Sequence, residues 1–362
     1  MDAILEVFVW DLSMLFGGCR AAAWHDNEQW GDEGYLRSKK AGQRYGFHAV
    51  LLQARGDWPW YSLLFNFPAH NSTNMCWRCK ATQNGDLAYW HTGQHGEWRN
   101  HRYAPGEFLK ELMRKSITPC PLFRLPGFTV DEVCLGVLHV MDLGVTAYTL
   151  GNIFFEALDW SGLAHRRREG RCVLLWEKLV TWYRVHNIPN QLQNLTVPMI
   201  KRDGQVPKLR CKGKQSRYLV RFGLMLAAEM HDMWHTWHTG LVLEIIMHLD
   251  YIYTLMKNDW DADAASASSM VVVEGLCQLA DQANRMGWPT WSVKPKYHMM
   301  EEMFQYQAYE CGNPDDYNEY LDEDFVGQVA QLALRRGGWN TAKANASAVM
   351  DRYRALLAMW EI

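Results

Sequence analysis

The chain has 362 residues, 48% of them hydrophobic, and a formal net charge of −3. That apolar fraction excludes a disordered polymer and suits one large domain or two ordinary ones. The near-neutral charge excludes the global basic footprint that dominates non-specific DNA binding, so any nucleic-acid contact must be local.

From the N-terminus, Ile4 to Leu15 is dense in branched and aromatic residues and reads as either a buried strand or the start of a helix. No basic residue precedes it and no small-residue cleavage site follows, so it does not read as a leader. Nine cysteines, an odd number, fit a reducing compartment. The chain is therefore expected to be intracellular and soluble, not secreted. Ser38 to Asp57 reads as a basic turn region, then a buried strand over His48–Ala54 that ends at Gly56-Asp57. Strand ends of this kind aim side chains at ligands in α/β folds. Phe65 to Pro126 is rich in Asn, His, Trp, Gly and Pro, with little periodicity, as befits a region held by a metal.

Thr129 and Glu132 have capping-box spacing, and an apolar pattern follows through Val133, Val137, Met141, Gly144, Tyr148 and Phe155. His139, Asp142 and Glu156 interrupt this longest apolar stretch, so no membrane span is expected. Helices are expected at Val173–His186, Tyr218–Trp237, Leu241–Met256 and Val271–Met286, with a break at Asp259–Ser269 and no strand between them. Two more, at Glu323–Arg335 and Thr341–Trp360, close the chain. The expected fold is α+β and predominantly helical. Its segments are 1–64, 65–128 with the metal-associated irregular region, 129–290 as a helical block, and 291–362.

Cys76-Trp-Arg-Cys79 brings two thiolates close across a tight turn, and a zinc ion needs two further ligands. Local candidates are His70, His91, His95 and His101; a remote pair is His298 with Glu302 one helical turn later. Asp57 and Glu323 are candidate ligands for Mg²⁺ or Mn²⁺ of the kind phosphodiester chemistry needs. Each has a plainer reading, Asp57 as a helix N-cap and Glu323 as a first-turn charge. His231, His235 and His238, at i, i+4 and i+7, would share a helical face and suggest a zinc metallohydrolase, although Asp232 is short for the glutamate base. Lys208, Arg210, Lys212, Lys214 and Arg217, within Lys201–Arg221, are the candidate nucleic-acid contacts, with solvated loops and helix faces the plainer reading. The 18 tryptophans serve cores, interfaces and base stacking alike.

Taken in order, Gly56-Asp57-Trp58-Pro59, Pro68-Ala-His70-Asn-Ser72 and Cys76-x-x-Cys79 resemble the GDxP, HxS and CxxC block of CACTA-type DDE transposases, including the fungal Plavaka group. Leu138-His139-Val-Met-Asp142-Leu-Gly144-Val145, Lys294-Pro295-x-x-His298 and Glu323 with Gly327 are similar to that family's later motifs. The resemblance implies an RNase H-like core interrupted by a large all-helical insertion, a plan shared with the recombinase of the V(D)J system. It implies a nuclear protein that binds DNA, with a homo-oligomer allowed. By the same resemblance Asp57 is the second catalytic Asp, Glu323 the catalytic Glu, and Cys76, Cys79 and His298 are ligands of a structural zinc. Three positions depart from the pattern. The first catalytic Asp is apparently missing, Asp11 being the one earlier candidate at only 46 residues before Asp57; Gly136 replaces an Asp; Glu302 replaces a second zinc histidine. The leading expectation is a transposon-derived, DDE-transposase-like protein, with metal-dependent DNA cleavage and strand transfer if active. The alternative is a non-catalytic, zinc-stabilised module that binds nucleic acid or protein.

Overall fold

Apolar residues recurring every three to four positions dominate the middle of the chain, and they build its helices. The computed structural model describes residues 2–31, 34–92, 96–159, 163, 167–324 and 327. The chain divides into two units, Met1–Asp316 and Tyr317–Ile362. Among the described residues the fold is α+β and predominantly helical, with one two-stranded sheet.

In the first unit, helix α1 spans Asp2–Gly17, which settles the two readings of Ile4–Leu15 in favour of a helix. It is not a buried one: Ile4 and Phe8 are exposed and Val9 is buried. Asp11 therefore lies at an exposed position on a helix, not at the end of a strand. The strand expected over His48–Ala54 is reduced to β1, Ala54–Arg55, and the residues before it are half-buried or exposed. β1 pairs in parallel with β2, Val133–Cys134, in the register Ala54 to Val133 and Arg55 to Cys134. A parallel pair needs a long crossover, here formed by residues 56–132. This crossover contains α2, Trp58–Phe65, and α3, Glu107–Arg114.

Thr129 and Glu132 make the hydrogen bonds their spacing suggests, Thr129 N–H and Oγ1 donating to Glu132 Oε2 at 2.5 and 2.8 Å. They close a turn ahead of β2 rather than opening a helix. Helical structure resumes as a π-helical segment, Leu138–Val145, then α4, Thr146–Leu158. Gly144 is the kink, with φ −105 and ψ −107; a Cβ there would meet the His139 carbonyl oxygen at 2.9 Å. α4 is buried on nearly every side, as a helix at the centre of a large core must be.

Around it lie α5, Arg168–His186, α6, Gly213–Trp234, α7, Trp237–Lys257, and α8, Ala262–Met286. α6 packs on α4, and α7 packs between α6 and α8. The four expected helices are present, each starting earlier than its apolar pattern. The expected break over Asp259–Ser269 is shorter: Asp261 accepts from the Ala264 N–H at 3.0 Å and caps α8, so the Ala/Ser run forms its first turns. α7 is long and apolar enough to cross a membrane by length and composition, and half of that stretch is buried within the fold. The bundle is pinned internally at fully buried Asp142, which accepts from Arg217 Nη2 at 3.0 Å and from the Tyr253 hydroxyl at 2.6 Å. α9, Pro295–Glu302, a π-helical segment, Met303–Gln307, and α10, Ala308–Cys311, return the chain to β2. There the Gln307 side chain bonds both backbone groups of Leu135, at 2.7 and 2.9 Å.

In the second unit, residues 320–324 are helical and the Glu323 N–H donates to the Glu319 carbonyl at 2.9 Å. Most of the expected helix Glu323–Arg335 and all of Thr341–Trp360 lie outside the described residues.

Candidate metal centre

The Cys76–Cys79 loop is fixed from both sides by the two residues it contains. Trp77 is buried, stacking on Phe67 at 4.7 Å and meeting Trp58 edge-on at 5.7 Å. Buried Arg78 donates to the Asp131 and Val133 carbonyls at 2.8 and 3.4 Å, which ties the loop to β2. Its backbone N–H points back to Cys76 Sγ at 3.3 Å. Both cysteines are buried as a result.

α9 supplies the other half. Lys294 precedes Pro295 at the first turn, where a missing N–H costs nothing. His298 and Glu302 then fall four residues apart on one face, both at 0% exposure. One ligand atom from each of Cys76, Cys79, His298 and Glu302 lies within 4.8 Å of the others, so this group can hold a metal ion. Cys79 Sγ is 3.5 Å from His298 Nε2, and His298 Nε2 is 3.8 Å from Glu302 Oε1. Tetrahedral zinc with bonds of about 2.3 Å to sulfur and about 2.0 Å to nitrogen sets its sulfur and nitrogen about 3.5 Å apart, so the residues fit.

Electrostatics point the same way. Burial pushes the Cys76 thiol up, but the hydrogen bond with Cys79 and the charge on His298 outweigh it and hold Cys76 well below the ordinary thiol value. Burial and the neighbouring Cys76 drive Cys79 in the opposite direction. Burial disfavours the charged imidazole of His298, yet the Cys76 charge raises it overall; burial raises Glu302. So many buried ionisable groups in contact are costly without a compensating cation. Arg102 supplies part of it, donating to the two Glu302 oxygens at 2.9 and 2.8 Å while stacking 3.5 Å over Tyr306. Arg99 likewise pairs with Glu301, and Trp98 packs edge-on against His298 at 4.3 Å. Reading the sequence missed Arg99, Arg102 and Trp98. Glu301 and Glu302 are both buried at the end of α9, and two buried carboxylates demand cations from elsewhere.

Of the local histidines, His70 packs on Trp58 and His91 on Trp90; neither they nor His101 join the group, and His95 lies outside the described residues. The histidine set of the metallohydrolase reading does not assemble. His231 is on α6, His235 is the left-handed residue between α6 and α7, and His238 is on α7. His231 Nδ1 meets Thr239 Oγ1 at 3.1 Å, while His238 is engaged by Gln282 at 2.7 Å and Glu156 at 3.1 Å.

Asp57 lies two residues beyond the end of β1, past Gly56, and caps α2, its Oδ1 accepting from the Trp60 N–H at 2.8 Å. Glu323 belongs to the second unit and is exposed. Of the basic stretch, Lys212 and Lys214 are exposed and Lys208, Arg210 and Arg217 half-buried. Arg217 is held by Asp142 and by Asp315 at 2.9 Å, and Arg210 by Gln205 at 2.6 Å.

Comparison of the chain with protein-family models, with curated proteins and with solved structures finds no match.

Proposed function

We propose that this chain is a zinc-stapled, DNA-binding protein of the DDE-transposase type, acting in the nucleus, with an RNase H-like core split by a helical insertion. One observation carries the reading: four buried metal-capable side chains gather from two segments 219 residues apart, the CxxC loop and the KPxxH helix, on either side of the helical block. Zinc there is structural. All four positions are taken by protein and enclosed, unlike a catalytic zinc with an open site.

The catalytic part of the reading assigns Asp57 and Glu323 as oxygen ligands for Mg²⁺ or Mn²⁺, which would activate the attacking oxygen and stabilise the leaving one. A non-catalytic DNA-binding module is the second reading. It is favoured by the exposed helical position of Asp11 and by the capping role already filled by Asp57.

The test is elemental analysis joined to a cleavage assay. The purified chain should carry one zinc, lost in Cys79→Ser and His298→Ala and kept in Asp57→Asn, which preserves the cap. Mg²⁺-dependent cleavage abolished by Asp57→Asn and by Glu323→Gln supports catalysis. Salt-dependent DNA binding without cleavage selects the module, and a zinc-free native chain sinks both readings.

A further inference from the structure

α4 presents two aromatic rings seven residues apart, Tyr148 and Phe155, which places them about 10 Å apart along one face. Each ring is flanked by two cations. Lys208 and Lys294 Nζ lie 4.9 and 5.2 Å from the Tyr148 ring centre; Lys201 Nζ and the Arg168 guanidinium lie 4.4 and 4.7 Å from that of Phe155. Arg168 is paired with Asp159 and Lys201 Nζ donates to the Pro289 carbonyl at 2.8 Å, but among the described residues no carboxylate lies within ion-pair distance of Lys201, Lys208 or Lys294. Gathering like charges this way costs energy unless an anion meets them.

At the Phe155 end the row opens into a cavity of about 720 Å³, lined also by Trp234, Trp237, Trp288, His238 and Gln282. The three tryptophans are 40%, 56% and 41% exposed, and together on one cavity they form an apolar patch of the kind that marks a contact surface. The cavity's carboxylates are already engaged. Glu156 accepts from His238 at 3.1 Å and from the Trp291 indole at 2.5 Å, and Asp159 pairs with Arg168 at 2.9 Å and Arg171 at 3.3 Å. A cationic guest of the kind taken by aromatic cages would find no free counter-charge and two neighbouring cations. A planar, anionic guest is complementary.

We propose that this cavity holds an unpaired nucleotide of a single nucleic-acid strand, its base against the tryptophans and its phosphates along the row from Arg168 and Lys201 to Lys208 and Lys294. Stacking tolerates any base; the cations neutralise the backbone. Gln282 adds polarity to the site: its Oε1 is taken by His238 Nδ1 at 2.7 Å, which leaves its amide donors for a base edge. The inference rests on the nucleic-acid part of the reading above and is independent of whether a strand is cut.

The experiment titrates the full-length chain with a single-stranded oligothymidylate of about ten nucleotides at low salt, following tryptophan fluorescence. Trp237→Ala and Trp288→Ala should each weaken binding about tenfold or more, Trp288→Phe should recover most of it, and circular dichroism should show the helices intact. With the unaltered protein, an abasic strand of equal length should lose affinity to a similar extent. Lys201→Ala should reduce the slope of log K against log salt by about 0.7. Equal affinity for the abasic strand, or no loss in the two alanine variants, overturns the pocket while leaving DNA binding standing. A chain that binds neither single strand nor duplex at low salt overturns both.

Discussion

Arg102 shows how a single side chain can govern a site it does not complete. Its guanidinium is the counter-charge of fully buried Glu302, so Arg102→Ala should strand that carboxylate, at a cost of about 3–5 kcal/mol, and weaken metal affinity about 10- to 100-fold. Chemical denaturation and competition with a zinc-binding dye measure the two effects. A second residue-scale prediction concerns thiols outside the metal group. The hydrogen bond with Cys134, whose sulfur is 3.7 Å away, brings the Cys311 thiol down to about 7 despite partial burial, whereas burial pushes Cys211 and Cys277 up to about 12. Iodoacetamide at pH 7.5 should therefore alkylate Cys311 before Cys211 or Cys277, and Cys134→Ala, which removes the donor, should slow it; peptide mapping reads both.

Among the elements, α4 and the segment leading into α6 depend on a close approach. The Leu209 N–H donates to the Ala147 carbonyl at 2.8 Å, and a Cβ on Gly151 would come within 2.5 Å of the Lys208 Cα. Gly151→Ala should cost about 1–3 kcal/mol in urea unfolding, outweighing its gain in helix propensity. His238 links α4, α7 and α8 through Glu156 and Gln282, with Trp288 and Trp291 packed beside it. Burial disfavours its charge, but Glu156 outweighs burial and raises it. A raised imidazole stabilises the fold below its ordinary value of about 6.5 and loses that contribution as pH climbs through the higher folded-state value. The melting-temperature advantage of the native chain over His238→Gln should thus shrink as pH rises from weakly acid to alkaline.

These elements also show what could be read in advance. The four long helices were legible because apolar periodicity and terminal caps agree, though their starts were not, since polar first turns carry no apolar signal. Thr129 and Glu132 misled because the same hydrogen bonds close a turn as readily as they open a helix. The His231, His235 and His238 spacing presupposed one continuous helix, which the left-handed backbone at His235 ends. The CxxC was legible from local spacing, but its partners were not: four nearer histidines stood beside His298 and Glu302 as candidates, and the family resemblance alone singled out His298. Arg102, bonded across 200 residues, left no mark nearby.

At the scale of the whole molecule, the metal group joins the CxxC crossover to the helix beyond the bundle, while α4, α6, α7 and α8 pack extensively on one another within an apolar core that they share with the crossover. Metal removal should accordingly act unevenly. Chelation should lower the melting temperature by several degrees or more and shift the emission of buried Trp77 and Trp98, while far-ultraviolet circular dichroism retains most of its helical signal.

The 219 residues between Cys79 and His298 also impose a schedule on biosynthesis. At ribosomal speeds of about 5–20 residues per second, the α9 ligands follow the cysteines by roughly 10–45 s. Throughout that interval two nascent thiols wait without their partners, exposed to oxidants and to stray ions. Meanwhile the bundle, made of neighbouring stretches of chain, can pack as it leaves the exit tunnel. Its early assembly would then deliver the late histidine to the early cysteines, so the staple is set last.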